Sequence, residues 1–154
     1  MIRILSLALV GLTLAPSLSA EETHLSERDG LRVQHAWGIS GRDGLRVFLE
    51  IQNKGSTEVV LSGGATADGT GIKVMATLPG TDQAEAIGEI PIAAGADMDF
   101  EPGGLYLWIN PAPDAVPGDL VAAHLDFAPL GELDVEIEIF PDGTRQHPHA
   151  GHNH

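Results

Sequence analysis

The sequence contains no cysteine in its 154 residues. Disulfide bonds, thiolate zinc sites, CxxC redox pairs and cysteine nucleophiles are therefore all excluded. Basic residues are also few, with 8 Lys and Arg against 22 Asp and Glu and a formal net charge of −14. That balance argues against nucleic-acid binding, which needs clustered Lys and Arg to contact phosphates. Any metal ion must be held by His, Met, carboxylate or backbone groups.

Long apolar runs are missing except at the N-terminus. There, Arg3 precedes an apolar stretch, and Pro16 and small residues up to Ala20 follow it, which is the pattern of a secretory signal peptide. The stretch is too short for a comfortable membrane span, so we predict a periplasmic protein that is not an integral membrane protein. An uncleaved anchor is the alternative. Removing Arg3 with the signal leaves 7 basic against 22 acidic residues, a formal charge of −15.

From Leu31 onward, short segments rich in Val, Ile and Leu alternate with clusters of Gly, Pro, Asp and Asn, without a sustained helical period. This pattern predicts an all-β sandwich or barrel. The clearest strand is Glu132 to Ile139, in which apolar and acidic residues alternate, so that one face is core and the other an acidic wall. Val121 to Phe127 alternates in the same way, which predicts a hairpin closed by Pro129 to Gly131. Further strands are predicted at Leu45 to Gln52, Glu58 to Leu61, Ile72 to Leu78, Ala86 to Ile92, Met98 to Phe100 and Leu105 to Asn110.

The hexapeptide Arg-Asp-Gly-Leu-Arg-Val occurs twice, starting at Arg28 and at Arg42. Each copy is interpreted as an Asp-Gly turn that opens a strand, because two copies are too few for a repeat architecture. We predict four regions: a signal peptide (1–20), a mature N-terminal segment (21–30), a β-sandwich (31–140) and a His-rich tail (141–154). From Thr144 the tail has no apolar residue larger than Ala150, so it is predicted to be disordered.

Four histidines lie within eight residues of this tail: His147, His149, His152 and His154. Imidazole is the commonest side-chain metal ligand, and four on a flexible segment can fold around Cu(II), Zn(II) or Ni(II). The competing interpretations are a solvated polar tail and an expression tag, and the non-contiguous spacing argues against a tag. Because a disordered site must become ordered on binding, we expect modest affinity and a steep pH dependence.

Outside the tail, candidate ligands are sparse. His35 shares strand parity with Val33 and Trp37, so it is predicted on or at the rim of the packed face, as a structural histidine rather than a ligand. Met75 follows an apolar strand, where methionine fills cores more often than it binds metal. The chain has no GxSxG, HExxH, phosphate-loop or dinucleotide motif, so nothing indicates an enzyme.

Six segments between Leu31 and Ile139 occur in a recognisable order. They read, along the chain, VQHAW, VFLEIQNKGS, IKVM, IPIAAG, EPGGLYLWI and PGDLVAAHLDFAPLGELDVEIEI. This order resembles that of the periplasmic copper chaperones of the PCu(A)C type. The resemblance implies a cupredoxin-like Greek-key β-sandwich that binds Cu(I) near one edge. It also implies delivery to a partner such as the copper centre of cytochrome oxidase.

The ligand positions implied by this resemblance hold other residues here. The family has a His where this chain has Met75, a Met where it has Ala86, and a His-x-Met pair where it has Tyr106 and Trp108. Only Met75 keeps a side chain that binds copper, so the family's Cu(I) site is expected to be absent or strongly remodelled. The tail resembles the His-rich or Met-rich extensions of some family members, and its imidazoles suit Cu(II) or Zn(II) better than Cu(I).

The leading interpretation is a periplasmic copper-binding accessory protein or metallochaperone. It would hold Cu(II) or Cu(I), with zinc as an alternative cargo, at five candidate ligands: His147, His149, His152, His154 and Met75. Cytochrome oxidase assembly is the expected partner process. Two alternatives stay open: a metal-free interaction module with Tyr106 and Trp108 at its contact site, and a zinc or nickel buffer. The sequence is compatible with a monomer and with a metal-bridged dimer.

Overall fold

The computed structural model describes residues 25–145 and residue 147, which form eleven strands and no helix. The predicted signal peptide, His24, His149, His152 and His154 lie outside the described residues. No helix in the described part has the length and hydropathy of a membrane span. The strands are β1 (Leu25–Arg28), β2 (Leu31–Gly41), β3 (Gly44–Asn53), β4 (Val59–Thr66), β5 (Gly71–Thr77), β6 (Ala84–Ala86), β7 (Ile90–Ile92), β8 (Asp97–Phe100), β9 (Leu105–Ile109), β10 (Leu120–Ala128) and β11 (Gly131–Phe140).

Seven strands close into a barrel-like sheet in the order β2, β11, β10, β4, β5, β9 and β3, with β3 pairing back to β2. Strands β1, β8, β6 and β7 extend this sheet by pairing with β2, β3, β5 and β4. Strands β2 and β3, β4 and β5, and β10 and β11 are antiparallel neighbours in sequence, whereas β11 runs parallel to the distant β2. The all-β Greek-key architecture expected from the sequence is confirmed.

The main core fills the space that the closed sheet surrounds. Strand β11 shows the predicted alternation, because Leu133, Val135 and Ile137 are buried while the acidic residues between them are exposed. The predicted hairpin with β10 is also confirmed, and its register places Asp126 opposite Glu132. The largest fully buried side chains are Phe48, Phe127, Leu31, Leu45, Ile51, Leu61, Ile92, Leu107, Ile109, Leu125, Ile137 and Ile139.

Both copies of the repeated hexapeptide form the predicted turns. Asp29 and Gly30 have φ angles of 50° and 83° and link β1 to β2, and the second copy links β2 to β3. Gly30 is required there, since a Cβ would lie 2.9 Å from the amide nitrogen of Gly55. Strand β1 was not predicted, because its four residues carry no alternation of apolar and polar side chains.

The single strand predicted from Ala86 to Ile92 is wrong. The structure has two short strands there: β6 pairs with β5, and β7 pairs with β4. Gly88, at φ 71°, lies between them in the left-handed region that favours glycine. The residues of β6 and β7 are close in sequence, but the turn at Gly88 makes the two strands pair with different neighbours.

Candidate metal centre

A second apolar cluster lies on the outer face of the sheet, separate from the main core. Its centre is Trp37, Phe48 and Tyr106, all buried. Phe48 stands between Val47 and Leu49, which both point into the main core, so strand alternation places Phe48 on the opposite face. The rings of Trp37 and Phe48 are 4.7 Å apart and those of Phe48 and Tyr106 are 6.5 Å apart, so the aromatic row is continuous.

Three of the four positions at which the resemblance implies copper ligands, Met75, Tyr106 and Trp108, lie in this cluster, and the fourth, Ala86, is exposed on the neighbouring strand β6. Met75 pairs with Ala86 on β6 and with Tyr106 on β9, and the Tyr106 ring lies 6.5 Å from the Trp108 ring. The side chains at these cluster positions are therefore one thioether and two aromatic rings. Met75 is partly buried against the cluster, and thioether packing against aromatic rings is stabilising without any metal. A metal-binding role for Met75 stays a prediction.

Tyr106 and Trp108 differ in how much of the ring they expose. Tyr106 is buried, and the Arg46 guanidinium lies 5.6 Å from its ring centre. Trp108 is half-buried. Within this pair, only Trp108 offers ring surface to a partner, which weakens the interaction-module alternative.

His35 lies in a β-bulge of β2. The register runs from Gln34 opposite Glu50 to Trp37 opposite Phe48, so His35 and Ala36 together face one residue of β3. His35 has φ 52°, a left-handed conformation that is uncommon for residues other than glycine. The parity argument made from the sequence is therefore wrong, since Val33 points into the main core while Trp37 belongs to the outer cluster.

The bulge coincides with a change of pairing partner along one edge of β2. Residues Leu31 to Gln34 pair with β1, and Trp37 to Ile39 pair with β11. Neither strand pairs with His35, so a gap opens at the bulge. The Nδ1 atom of His35 is buried there without a hydrogen-bond partner among the described residues.

His147 packs against the sandwich at this gap. It is 4% exposed, and its ring centre lies 5.2 Å from that of His35 and 5.6 Å from that of Phe140, the last residue of β11. The sequence predicts disorder from Thr144 onward, and His147 differs from that expectation because aromatic contacts hold it. Among the five predicted ligands, the structure thus places one tail imidazole directly beside a histidine of the sandwich.

The chain between Phe140 and His147 reverses through a short turn. The amide of Thr144 donates to the Pro141 carbonyl at 3.2 Å, and the Thr144 hydroxyl donates to the same oxygen at 2.7 Å. Gly143 has φ 88°, which permits the reversal. The turn brings the chain back against the end of β11 from which it left.

Met75 and His147 do not share a site. Met75 lies on β5, and His147 contacts His35 of β2, three strands away across β9 and β3. At the usual strand spacing, the backbones of β5 and β2 are about 14 Å apart. The rings of Tyr106, Phe48 and Trp37 fill the intervening row.

A third group of donors lies on the exposed face of the β10–β11 hairpin. His124 Nε2 is 3.9 Å from Asp126 Oδ1, and one donor atom each from His124, Asp126 and Glu132 lie within 4.8 Å of one another. The sequence predicts that His124 and Asp126 share the outward face, which is confirmed. All three side chains are half-buried or exposed, so water solvates this group readily.

Sequence reasoning missed His35 as a partner of the tail. The apolar residues Val33 and Trp37 have the same parity, so they conceal the bulge between them. The structure shows the change of parity at Ala36, an even-numbered residue that is buried in the main core together with the odd-numbered Leu31 and Val33. The contact with His147 leaves no local sign, because it joins residues more than a hundred positions apart.

Comparison with known proteins gives matches among solved structures only. No protein-family model and no curated protein sequence matches the chain. The apo PCuAC domain of PmoF2 superposes with a TM-score of 0.67 at 16% identity, covering 80% of this chain and 99% of that domain. The copper-bound PCuAC domain of PmoF2 gives 0.64 at 16% identity over 77% of this chain and 98% of the other. The apo PCuAC domain of PmoF1 gives 0.64 at 18% identity over 77% and 99%. The chain therefore has the fold of PCuAC domains.

Proposed function

We propose that this protein is an exported copper-binding accessory protein or metallochaperone whose metal is held mainly by the C-terminal histidines. One observation carries the proposal: in a fold shared with a copper-bound domain, His147 of the tail is buried beside His35 of the sandwich. Met75, Ala86, Tyr106 and Trp108 supply one thioether and no imidazole. The two imidazoles in contact, His35 and His147, lie next to Phe140 at the Trp37 end of the aromatic row, away from Met75.

The ligand chemistry favours Cu(II) over Cu(I) as the ion bound by the tail. Imidazoles bind Cu(II) well, and Cu(II) stands at the top of the affinity order for divalent first-row ions. Cu(I) prefers thioether and thiolate sulfur, and the chain has 3 Met and no Cys. In this proposal the protein works in the periplasm, takes part in assembling the copper centre of cytochrome oxidase, and binds and transfers rather than catalyses.

Zinc buffering is the second candidate, and the His124, Asp126 and Glu132 group favours it. One imidazole and two carboxylates within 4.8 Å form a nitrogen and oxygen donor set that zinc accepts. The group is open to solvent and acidic neighbours surround it along β11. A protein that binds zinc here would do so without its tail.

Truncation tests the proposal directly. Cu(I) and Cu(II) are titrated in competition with chelators into the mature protein and into a version that ends at Gly143, which keeps all of β11. A full-length variant with His147, His149, His152 and His154 replaced by Asn is the matched control for loss of chain length. We expect both altered proteins to lose Cu(II) binding and to keep their fold by circular dichroism.

Three other results have a defined meaning. Unchanged Cu(II) binding by the truncated protein would contradict a tail site. Tight Cu(I) binding by the truncated protein would indicate a site in the sandwich, with Met75 of the outer cluster as the candidate ligand. Zinc binding that survives truncation and disappears in His124→Asn would favour the buffer. Repeating the Cu(II) titration at several protein concentrations separates a monomeric site from one that bridges two chains.

A further inference from the structure

We infer that His35 and His147 are two ligands of one composite metal site, in which β2 of the sandwich supplies one imidazole and the buried His147 supplies the other. This inference rests on the proposed function and specifies the site within it. The ion is a divalent first-row metal that accepts imidazole, and the probe we choose is Cu(II). Binding would fasten the segment after Phe140 to the gap beside the bulge of β2.

The spacing of the two rings suits a shared ion. A metal-bound imidazole nitrogen lies about 2.0 Å from the ion, so two imidazoles have ring centres roughly 4.5 Å apart at adjacent positions of a tetragonal ion such as Cu(II) and roughly 5 Å apart on a tetrahedral ion. The centres of the His35 and His147 rings are 5.2 Å apart, and the rings are tilted by 47° rather than stacked in parallel. The observed distance between ring centres therefore matches that of two imidazoles on one ion.

The backbone at His35 is strained in a way that the surrounding strands maintain. A left-handed residue that carries a Cβ is unfavourable by about 1–2 kcal/mol, and such conformations cluster at functional sites. Here the bulge turns His35 into the gap between the end of β1 pairing and the start of β11 pairing. A fixed ligand position of this kind reduces the entropy that the tail alone would lose on binding.

The buried Nδ1 of His35 is a second reason to place an ion here. A buried polar atom without a partner is unfavourable by about 1–3 kcal/mol, and native structures contain few of them. Coordination of the ion by Nδ1 of His35 would supply the missing partner and remove this cost. The environment of Nδ1 therefore favours binding of a metal ion by His35.

Two imidazoles fill only part of the coordination sphere of Cu(II), and the sequence of the tail holds three more: His149, His152 and His154. The composite arrangement also predicts a monomeric site.

The test measures Cu(II) binding by the full mature chain and by His35→Asn and His147→Asn variants. Asn tolerates the left-handed region, so His35→Asn keeps the bulge while removing the imidazole. Gln34→Asn is the matched control, because it shortens the side chain next to His35 on β2 and removes no imidazole. We expect each site variant to lose about tenfold or more in Cu(II) affinity. The control should stay within about twofold, a difference well below one missing ligand.

Two further readouts separate a shared site from two independent effects. The double variant should lose less affinity than the two single losses added together, because the second substitution acts on a site that the first has already broken; a double-mutant cycle measures this coupling. Cu(II) should also slow amide hydrogen exchange in residues 141–147 of the wild-type protein, and leave this exchange unchanged in His35→Asn. Both results follow only if the ion joins the tail to β2.

The outcomes distinguish this inference from the proposed function. If His35→Asn binds Cu(II) like the wild type while replacement of His149, His152 and His154 abolishes binding, the composite site is wrong and the tail site stands. If neither change affects binding, both proposals fail. Equal near-ultraviolet circular dichroism of His35→Asn and wild type establishes that lost affinity is not lost folding; a His35→Gly variant supplies the same test if His35→Asn is unstable.

Discussion

His35 combines two properties that its residue type alone does not reveal: a left-handed backbone and a ring in contact with the tail. The backbone conformation is set by the bulge, since two residues of β2 face one residue of β3. Glycine adopts φ 52° without steric cost, whereas a Cβ introduces a clash with the following carbonyl. Mutations can therefore separate the free-energy cost of the left-handed backbone from the contribution of the imidazole ring.

We predict that His35→Gly is more stable than His35→Ala by about 1 kcal/mol. Both variants lack the imidazole, so the comparison isolates the left-handed backbone. Urea unfolding of the metal-free proteins measures the difference. Equal stabilities, or a more stable Ala variant, would show that the bulge relaxes to an ordinary strand conformation when the ring is removed.

Asn53 is a buried polar residue at the end of β3 whose side chain holds two loops together. Its Nδ2 donates to the carbonyls of Thr57 and Ile92 at 2.8 and 3.0 Å, and its Oδ1 accepts from the amide of Gly55 at 3.1 Å. It belongs to the Asn-x-Gly element within the resemblance described above. All of its side-chain hydrogen-bonding groups are used, so the residue is a structural one.

Asn53→Ala should lower the free energy of unfolding by about 2–3 kcal/mol, because it leaves buried carbonyl and amide groups without partners. Asn110→Ala is the control: Asn110 is exposed and donates one hydrogen bond, to the Asp43 carbonyl at 2.7 Å. The Asn110→Ala variant should lose less than about 1 kcal/mol of its free energy of unfolding. Denaturant titration of both variants checks the prediction, and a similar loss in the two would contradict the assigned role of burial.

At the scale of an element, the turn between β4 and β5 is organised by one carboxylate. The Thr66 hydroxyl and then the Thr70 amide donate to Asp68, and these hydrogen bonds lower the pKa of Asp68 from its ordinary value of 3.8. A carboxyl group whose folded pKa is lowered stabilises the fold above its unfolded pKa. That stabilisation disappears as the pH falls through the folded pKa.

Asp68→Asn should therefore lower the urea midpoint at neutral pH, and the difference from wild type should disappear below the ordinary Asp range. Asn keeps an oxygen that accepts the same hydrogen bonds, so the comparison reports the charge. A difference that persists undiminished at low pH would mean that the shape of the Asn side chain is responsible.

The whole molecule carries a strong excess of negative charge, and the sheet concentrates part of it. The register places Asp126 directly opposite Glu132, and like charges at opposed positions of antiparallel strands are destabilising. Exposed cations that neutralise this face are few, since the chain has 8 Lys and Arg in total. Self-repulsion therefore acts against the compact state.

We expect the metal-free protein to become more stable as sodium chloride rises from about 0.01 M to about 1 M, because the Debye length falls from about 30 Å to about 3 Å. Thermal unfolding at several salt concentrations measures the effect. An Asp126→Asn, Glu132→Gln double variant should show a smaller salt dependence. A midpoint that falls with salt would show that favourable ion pairs outweigh the repulsion.

Much of the fold could be predicted because strand alternation is local. The acidic and apolar alternation of β11, the hairpin with β10 and the two Asp-Gly turns all follow from neighbouring residues, and the structure contains each of them. The strand at Ala86 to Ile92 was predicted wrongly for the same reason: local composition does not report which strand each half pairs with. The Greek-key architecture was predicted from the order of the six segments, through the resemblance described above.

The sequence by itself determined which chemistry is available: no thiolate, one thioether at the positions implied by the resemblance, and four imidazoles near the C-terminus. Only the tertiary structure decided which of these groups meet. The bulge at His35 lies where β2 exchanges β1 for β11 as its partner, and His147 meets it through contacts between the tail and β2. The exchange of partners and the contact with His147 both join distant segments, and residue periodicity carries no record of either.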